Sequence, residues 1–229
     1  MTWHTKHRPQ TLDEVHGQPA IQTIQSLLNG PQTPNLLFYG PSGTGKTTTA
    51  RAIAREMHGN TNNLHEINAS NKRGIDDIRD TIEKHGRRDV GAQVTLEMAL
   101  PIIYLDEVDG LSKDAQDALK SPMEDCPAVF ILATNNKADI NDALISRCHG
   151  GGFHFGPLEV RDVSRRLEEV AAKEGMDVDP QRLIDHAQKS NGDMRTALDL
   201  LEQDKRMRTT QTPGSTGEND EVAQFVNGK

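Results

Sequence analysis

The segment Gly40-Pro41-Ser42-Gly43-Thr44-Gly45-Lys46-Thr47 constrains this chain more than any other. A short apolar run, Leu36-Leu37-Phe38-Tyr39, leads into it, and a stretch with helical apolar spacing follows, closed by Gly59. That order reads as a buried strand, a glycine-rich turn and a helix from Lys46 to about Met57. Glycines let the backbone curl until its N–H groups point inward at the positive end of a helix, which makes a cradle for phosphate. Lys46 is then placed to reach β- and γ-phosphates, and the Thr47 hydroxyl to ligate Mg²⁺. The nucleotide-binding set is Gly40, Pro41, Ser42, Gly43, Thr44, Gly45, Lys46, Thr47 and the adjoining Thr48.

A second motif follows about 60 residues later. Ile102-Ile103-Tyr104-Leu105 reads as a buried strand, and Asp106-Glu107 stands at its end. A carboxylate there can hold the metal, which assigns Asp106 with Thr47 to Mg²⁺. The adjoining Glu107 can polarise the attacking water, as a base within reach of its proton. Acidic strand ends are common on their own; the pairing with the phosphate loop turns this one into an ATP or GTP hydrolase site.

Further apolar runs at 64–68 and 129–133 read as strands, with a helix expected over 75–83 and residues 87–99 ambiguous. Lys113 to Leu119 reads as a helix that Pro122 must end. Strands alternating with helices over residues 1–156 predict an α/β domain, a parallel sheet with helices on both faces. After Pro157 the pattern is helical only. Val163, Leu167, Val170 and Ala171 form one apolar face, Asp179-Pro180 starts a second helix, and Asp193 caps a third. Residues 157–208 are therefore expected to be a small three-helix domain, and 209–229 a disordered polar tail.

At 229 residues the chain suits one α/β module with a small addition. Aromatics are only 3% of residues, so the core falls to Leu, Ile, Val and Ala. Two cysteines, Cys126 and Cys148, exclude a disulfide framework or cysteine zinc module, and the nine His lack metal spacing. The net charge of −8 excludes a uniformly basic nucleic-acid surface, though not a local patch. No run approaches the ~18 apolar residues of a membrane span, and residues 1–6 lack a signal-peptide stretch. A soluble, cytoplasmic, prokaryotic protein is expected. Its Asp-rich, Lys-poor balance matches a high-salt cytoplasm.

These residues resemble the AAA+ ATPases, and within them the small subunits of the sliding-clamp loader, replication factor C. The resemblance runs from about Lys6 to Leu201. Lys6-His7-Arg8-Pro9 and Leu12-Asp13-Glu14-Val15-His16-Gly17-Gln18 resemble the family's adenine-site segment, which implies Val15 and Gly17 in nucleotide binding. Glu66-Ile67-Asn68-Ala69-Ser70 and Arg73-Gly74-Ile75-Asp76 resemble its lead into a DNA- and clamp-facing helix. Asp106-Glu107-Val108-Asp109-Gly110-Leu111 extends the match. By resemblance Asn135, in Ala133-Thr134-Asn135, is sensor 1, placed for the γ-phosphate and attacking water. Arg147, in Ser146-Arg147-Cys148, is an arginine finger acting on ATP held by the next subunit. Arg195, in Gly192-Asp193-Met194-Arg195, is sensor 2 on a lid helix.

Three features depart from that family. Its C-terminal collar domain lies beyond the resemblance. His149-Gly150-Gly151-Gly152 is a longer glycine-rich stretch, expected to add flexibility near Arg147. Residues 119–124 carry Pro122 and lack one of two adjacent basic residues. The implied activity is a DNA-dependent ATPase, with ATP and Mg²⁺, in a ring or spiral of clamp-loader subunits that loads a sliding clamp onto primer–template DNA. Arg73, Arg79 and Lys113 are the candidate DNA-phosphate contacts. Two other readings stand beside it: another AAA+ DNA motor of the Holliday-junction type, and an ATP-binding structural subunit of a replication assembly.

Overall fold

In the computed structural model, residues 1–70, 80, 82, 84 and 100–210 are described, 208–210 as backbone only. Among them, strands β1 (Leu36–Tyr39), β2 (Leu64–Asn68), β3 (Ile102–Asp106), β4 (Val129–Thr134) and β5 (Phe153–His154) form one sheet. Its order is β2-β3-β4-β1-β5 and every pairing is parallel. A parallel sheet is covered on both faces, so its strands read as continuous apolar runs; all six residues of β4 are buried.

Alternate residues of each strand feed opposite layers. Leu36, Phe38, Ile102, Tyr104 and Ile131 pack against α2 (Ala20–Leu28) and α3 (Lys46–His58), through Ile24, Ala50 and Ile53. Leu37, Ile103, Phe130 and Leu132 pack on the other side against Leu119, Met123 and Leu144. These come from the chain around α4 (Lys113–Ala118), α5 (Lys120–Asp125) and α6 (Asp142–Ile145). Truncating a buried Leu such as Leu132 to Ala would cost about 2–5 kcal/mol. Helix α3 stops at Gly59, which closes it in the left-handed conformation expected from the sequence.

Pro122 does not end a helix. The first helix stops at Ala118, and Pro122 is the third residue of α5. The first turn of a helix has no intrahelical partners for its N–H groups, so proline costs nothing there. The glycine-rich stretch is a single tight turn over His149–Gly151, with the His149 N–H donating to the Asn35 carbonyl at 2.8 Å. It feeds β5, a two-residue strand too short to show in the sequence. The helix expected over 75–83 and the ambiguous 87–99 lie outside the described residues, apart from helical positions 80 and 82.

Helices α7 (Val160–Lys173), α8 (Pro180–Lys189) and α9 (Met194–Thr210) enclose a third core of Val163, Leu167, Val170, Leu183, Ala187, Ala197 and Leu201. Asp179 caps α8 by accepting from the Gln181 N–H, with Pro180 as first helical residue. Trp3, on the one-turn helix α1 (Trp3–Lys6), is buried in this same core. The N-terminus therefore belongs with the helices that come last in the chain.

Candidate functional site

The carboxyl ends of the strands carry the polar groups, as the crevice rule for open α/β sheets requires. Register fixes this: Tyr39 pairs with Thr134 and Asn68 with Asp106, so Gly40, Asn135, Asp106 and Glu107 emerge side by side. Asp106, Glu107 and Asn135 line a cavity of about 340 Å³, closed on its far side by Leu158, Met194, Arg195 and Leu198; Gly40 and Pro41 lie outside its lining.

The loop from Gly40 to Gly45 reverses the chain into α3. Gly45 is left-handed, at φ 108°, where a side chain would strain the backbone. Lys46 opens the helix and is buried; its Nζ donates to the carbonyls of Gly40 (2.5 Å) and Pro41 (2.8 Å) and to Asn135 Oδ1 (3.3 Å). Burial pulls its pKa down, opposed by the negative charges of Asp106 and Asp109. Thr47 Oγ1 donates to Asp106 Oδ2 at 3.3 Å and lies 3.0 Å from the Tyr104 hydroxyl. A hydroxyl and a carboxylate are hard oxygen donors, so this pair fits a divalent cation of the Mg²⁺ type bound with a nucleotide.

Glu107 is held at φ 55°, a left-handed conformation unusual for a side-chain-bearing residue. Its Oε2 accepts from Ser70 Oγ at 2.5 Å and Asn68 Nδ2 at 3.1 Å, and these bonds, Ser70's first, hold its pKa below the usual carboxylate range. The carboxylate borders the cavity but rests on β2.

The three-helix unit meets the loop directly. The Met194 N–H donates to the Gly43 carbonyl at 3.1 Å, and the Leu158 N–H to the Gly192 carbonyl at 3.1 Å. Asp193 Oδ1 caps α9 through the N–H groups of Arg195 (2.8 Å) and Thr196 (3.2 Å). That side chain packs on Gly43 so closely that any Cβ there would collide with it. The exposed Arg195 thus stands on a helix whose first turn touches the phosphate loop.

The family model for the AAA proteins, described as the ATPase family associated with various cellular activities, matches residues 36–150, half of the chain. The chain belongs to the AAA ATPase family. It is similar to the replication factor C small subunit of Methanothermobacter thermautotrophicus, 40% identical over 206 residues, covering 87% of this chain and 62% of that protein. The same subunit of Haloarcula marismortui is 39% identical, covering 87% and 61%. Replication factor C subunit 3 of Oryza sativa subsp. japonica is 40% identical, covering 87% and 56%. The chain thus spans about 60% of the length of the curated relatives it matches. Among solved structures, the RuvB Holliday junction branch migration motor of Thermotoga maritima aligns with a TM-score of 0.73 at 22% identity, over 89% of this chain and 66% of that one. That likeness shows a shared fold.

In this AAA protein, the structure gathers Ser42 to Thr48, Asp106, Glu107, Asn135, Val15 and Arg195 around one cavity. Gly17 lies outside that wall, against Leu158 and Asp162. Arg147 is also elsewhere: its Nη1 donates to the Ala143 carbonyl at 2.7 Å and its Nη2 pairs with Glu124. Lys113 is exposed at the start of α4, while Arg73 and Arg79 lie outside the described residues. Among the described residues, no helix is long and apolar enough to cross a membrane.

Two buried polar residues that brace this site, Gln18 and Arg166, are given no role of their own by the sequence. Gln18 is buried, and its Nε2 donates to the carbonyls of Thr44 (3.0 Å) and Gly156 (2.8 Å), tying the phosphate loop to the start of the helical unit. Arg166 is buried in the cavity wall, donating to the His7 carbonyl at 2.7 Å and to Glu169 at 2.6 Å. Gln18 stands in the loop before α2 and Arg166 is one polar residue on α7, with nothing nearby in sequence to mark their partners.

Proposed function

We propose that this chain is the nucleotide-hydrolysing portion of a clamp-loader small subunit, using ATP to help open a sliding clamp and place it on primer–template DNA in the cytoplasm. The single observation that carries the reading is the hydrogen bond from Met194 N–H to the Gly43 carbonyl. It makes the phosphate loop and the Arg195 helix two walls of one site, so nucleotide contacts that differ between open and closed forms shift the helical unit. The similarity to replication factor C small subunits over nearly nine-tenths of the chain supports the same reading.

In this proposal residues 1–156 form the nucleotide-binding domain and 157–208 the lid. The Lys46 ammonium and the loop N–H groups hold the β- and γ-phosphates, while Val15 and the neighbouring N-terminal residues border the base. Thr47 and Asp106 hold Mg²⁺, which when bound neutralises charge developing on the phosphates. Glu107 turns away from Ser70 and Asn68 and takes the proton of the attacking water. Asn135 orients that water or the γ-phosphate, and Arg195 contacts the γ-phosphate as the lid closes. Arg147 reaches ATP held by the neighbouring subunit. DNA is held through its phosphates without base readout, with Arg73, Arg79 and Lys113 as contacts.

The test is ATP turnover by the chain with partner subunits and a sliding clamp, with and without primed DNA. Turnover should rise several-fold with primed DNA and clamp together. Indifference to primed DNA, with stimulation by four-way junctions, would assign the chain to a different motor.

A further inference from the structure

Tyr104 is an odd residue for its place. It sits on β3 among Ile102, Ile103 and Leu105, a run that otherwise carries no polar side chain until Asp106. The residue is 1% exposed and packs in the layer that holds Ala50 and Ile53 of α3. For packing alone, an aliphatic residue or Phe would serve there. A buried phenol adds a group that must find a hydrogen-bond partner.

The partner it finds is Thr47, 3.0 Å away. Period-two alternation puts Tyr104 and Asp106 on one face of the strand, and that face looks at the first turn of α3. Thr47 Oγ1 in turn donates to Asp106 Oδ2. A hydroxyl has one proton and two acceptor sites. With its proton committed to Asp106, Thr47 can only accept from Tyr104. One lone pair is then taken by the phenol, and the other is left directed away from it. An ordinary phenol keeps its proton at neutral pH, so it is available as the donor.

We propose that Tyr104 is a positioning residue for the metal: by donating to Thr47 Oγ1 it fixes the rotation of that hydroxyl and aims its remaining lone pair at the divalent cation. This rests on the reading that Thr47 and Asp106 hold Mg²⁺ with a bound nucleotide. Tyr104 touches neither metal nor substrate. It acts through Thr47, and its effect lies on metal affinity rather than on nucleotide affinity as such.

The test compares the full-length wild-type chain with Tyr104→Phe, which keeps the ring and removes only the hydroxyl. Mn²⁺ binding is followed by electron paramagnetic resonance with saturating adenylyl imidodiphosphate, and binding of that nucleotide in EDTA by calorimetry. The expected result is a three- to ten-fold rise in the half-saturating Mn²⁺ concentration, the size of one lost hydrogen bond. Metal-free nucleotide affinity and melting temperature in EDTA should stay close to wild type. In a Thr47→Ala background, Tyr104→Phe should change Mn²⁺ binding no further, because the route through Thr47 is gone. An unchanged Mn²⁺ requirement in Tyr104→Phe, or an equal additional loss in the Thr47→Ala background, overturns the proposal while leaving the metal site in place. A wild-type chain that binds no Mn²⁺ with the nucleotide would instead overturn the site reading beneath it, and this proposal with it.

Discussion

The Glu107 carboxylate rests on Ser70, 2.5 Å from its hydroxyl, rather than reaching toward the phosphate loop. Both Ser70 and Asn68 hold its Oε2, so the side chain must leave them to swing toward a water at the phosphate loop. Glu107→Gln should therefore leave ATP binding intact while turnover falls by about 10²–10⁴. Ser70→Ala should act in the other direction, raising basal turnover. It should also move the acid limb of the pH–rate profile to higher pH: the Ser70 bond is the first cause of Glu107's lowered pKa, and losing it makes the carboxylate easier to protonate. Steady-state rates from about pH 3 to 7, which brackets the usual carboxylate value of about 4.3, check both. An unmoved acid limb in Ser70→Ala would mean that another group is the base.

Lys46 is the one cation of its loop, and its ammonium is already desolvated and held by three oxygens. Phosphate oxygens can replace those acceptors without a new desolvation cost. Lys46→Ala should abolish measurable ATP binding by calorimetry. Retained affinity would remove the phosphate-loop assignment.

The parts of this molecule legible in the sequence are those whose chemistry is contiguous along the chain. The phosphate loop needs its glycines and Lys46 within eight positions, and a carboxylate at a strand end needs only an apolar run before it. The strands were readable because both faces of a parallel sheet are buried. What stayed hidden depends on partners far along the chain. Gln18 matters because of Thr44 and Gly156, 26 and 138 residues away. Nothing around Trp3 marks it as a core residue, yet it is buried against helices that begin at Val160. Strand β5 is two residues long and exists only through its pairing with β1. Pro122 misled for a different reason: a proline rule applied without knowing where the first turn falls cannot separate a stop from a start.

The N-terminal segment is fastened by charge. Lys6, His7 and Lys205 surround the buried carboxylate of Glu174, and its pKa is pulled down to about 2, by Lys205 first and Lys6 next. A carboxylate depressed in the folded state stabilises it above the unfolded pKa of about 4.3. That contribution fades as pH falls from about 4.3 through 2. Glu174→Gln should lower Tm at pH 7 by about 2–4 °C, as expected for ~1 kcal/mol in a chain of this size. The difference from wild type should close near pH 2. Since His7, Arg8 and Pro9 border the nucleotide cavity, ATP affinity should weaken alongside. Equal melting curves at both pH values would show that the cluster fastens nothing.

Arg147 makes the last and most demanding prediction, because the structure places it away from its own nucleotide cavity. Its guanidinium is taken up by Glu124 and the Ala143 carbonyl, and Cys148 beside it is buried. If Arg147 acts on ATP across an interface, Arg147→Ala should leave ATP affinity of the isolated chain unchanged. Assembled subunits should lose turnover by about 10³–10⁵, the effect of removing an arginine finger. Glu124 competes for the same guanidinium, so Glu124→Gln should favour release and raise turnover in the assembly only. The decisive measurement mixes Arg147→Ala with Lys46→Ala, each inactive alone. One supplies an intact phosphate loop and the other an intact Arg147, so a composite site recovers part of the activity when partner subunits are present. Loss of turnover in a demonstrably monomeric Arg147→Ala sample, with no recovery on mixing at any concentration, would assign Arg147 to holding α5 against α6 through Glu124 and Ala143. The site would then hydrolyse ATP without help from a neighbour.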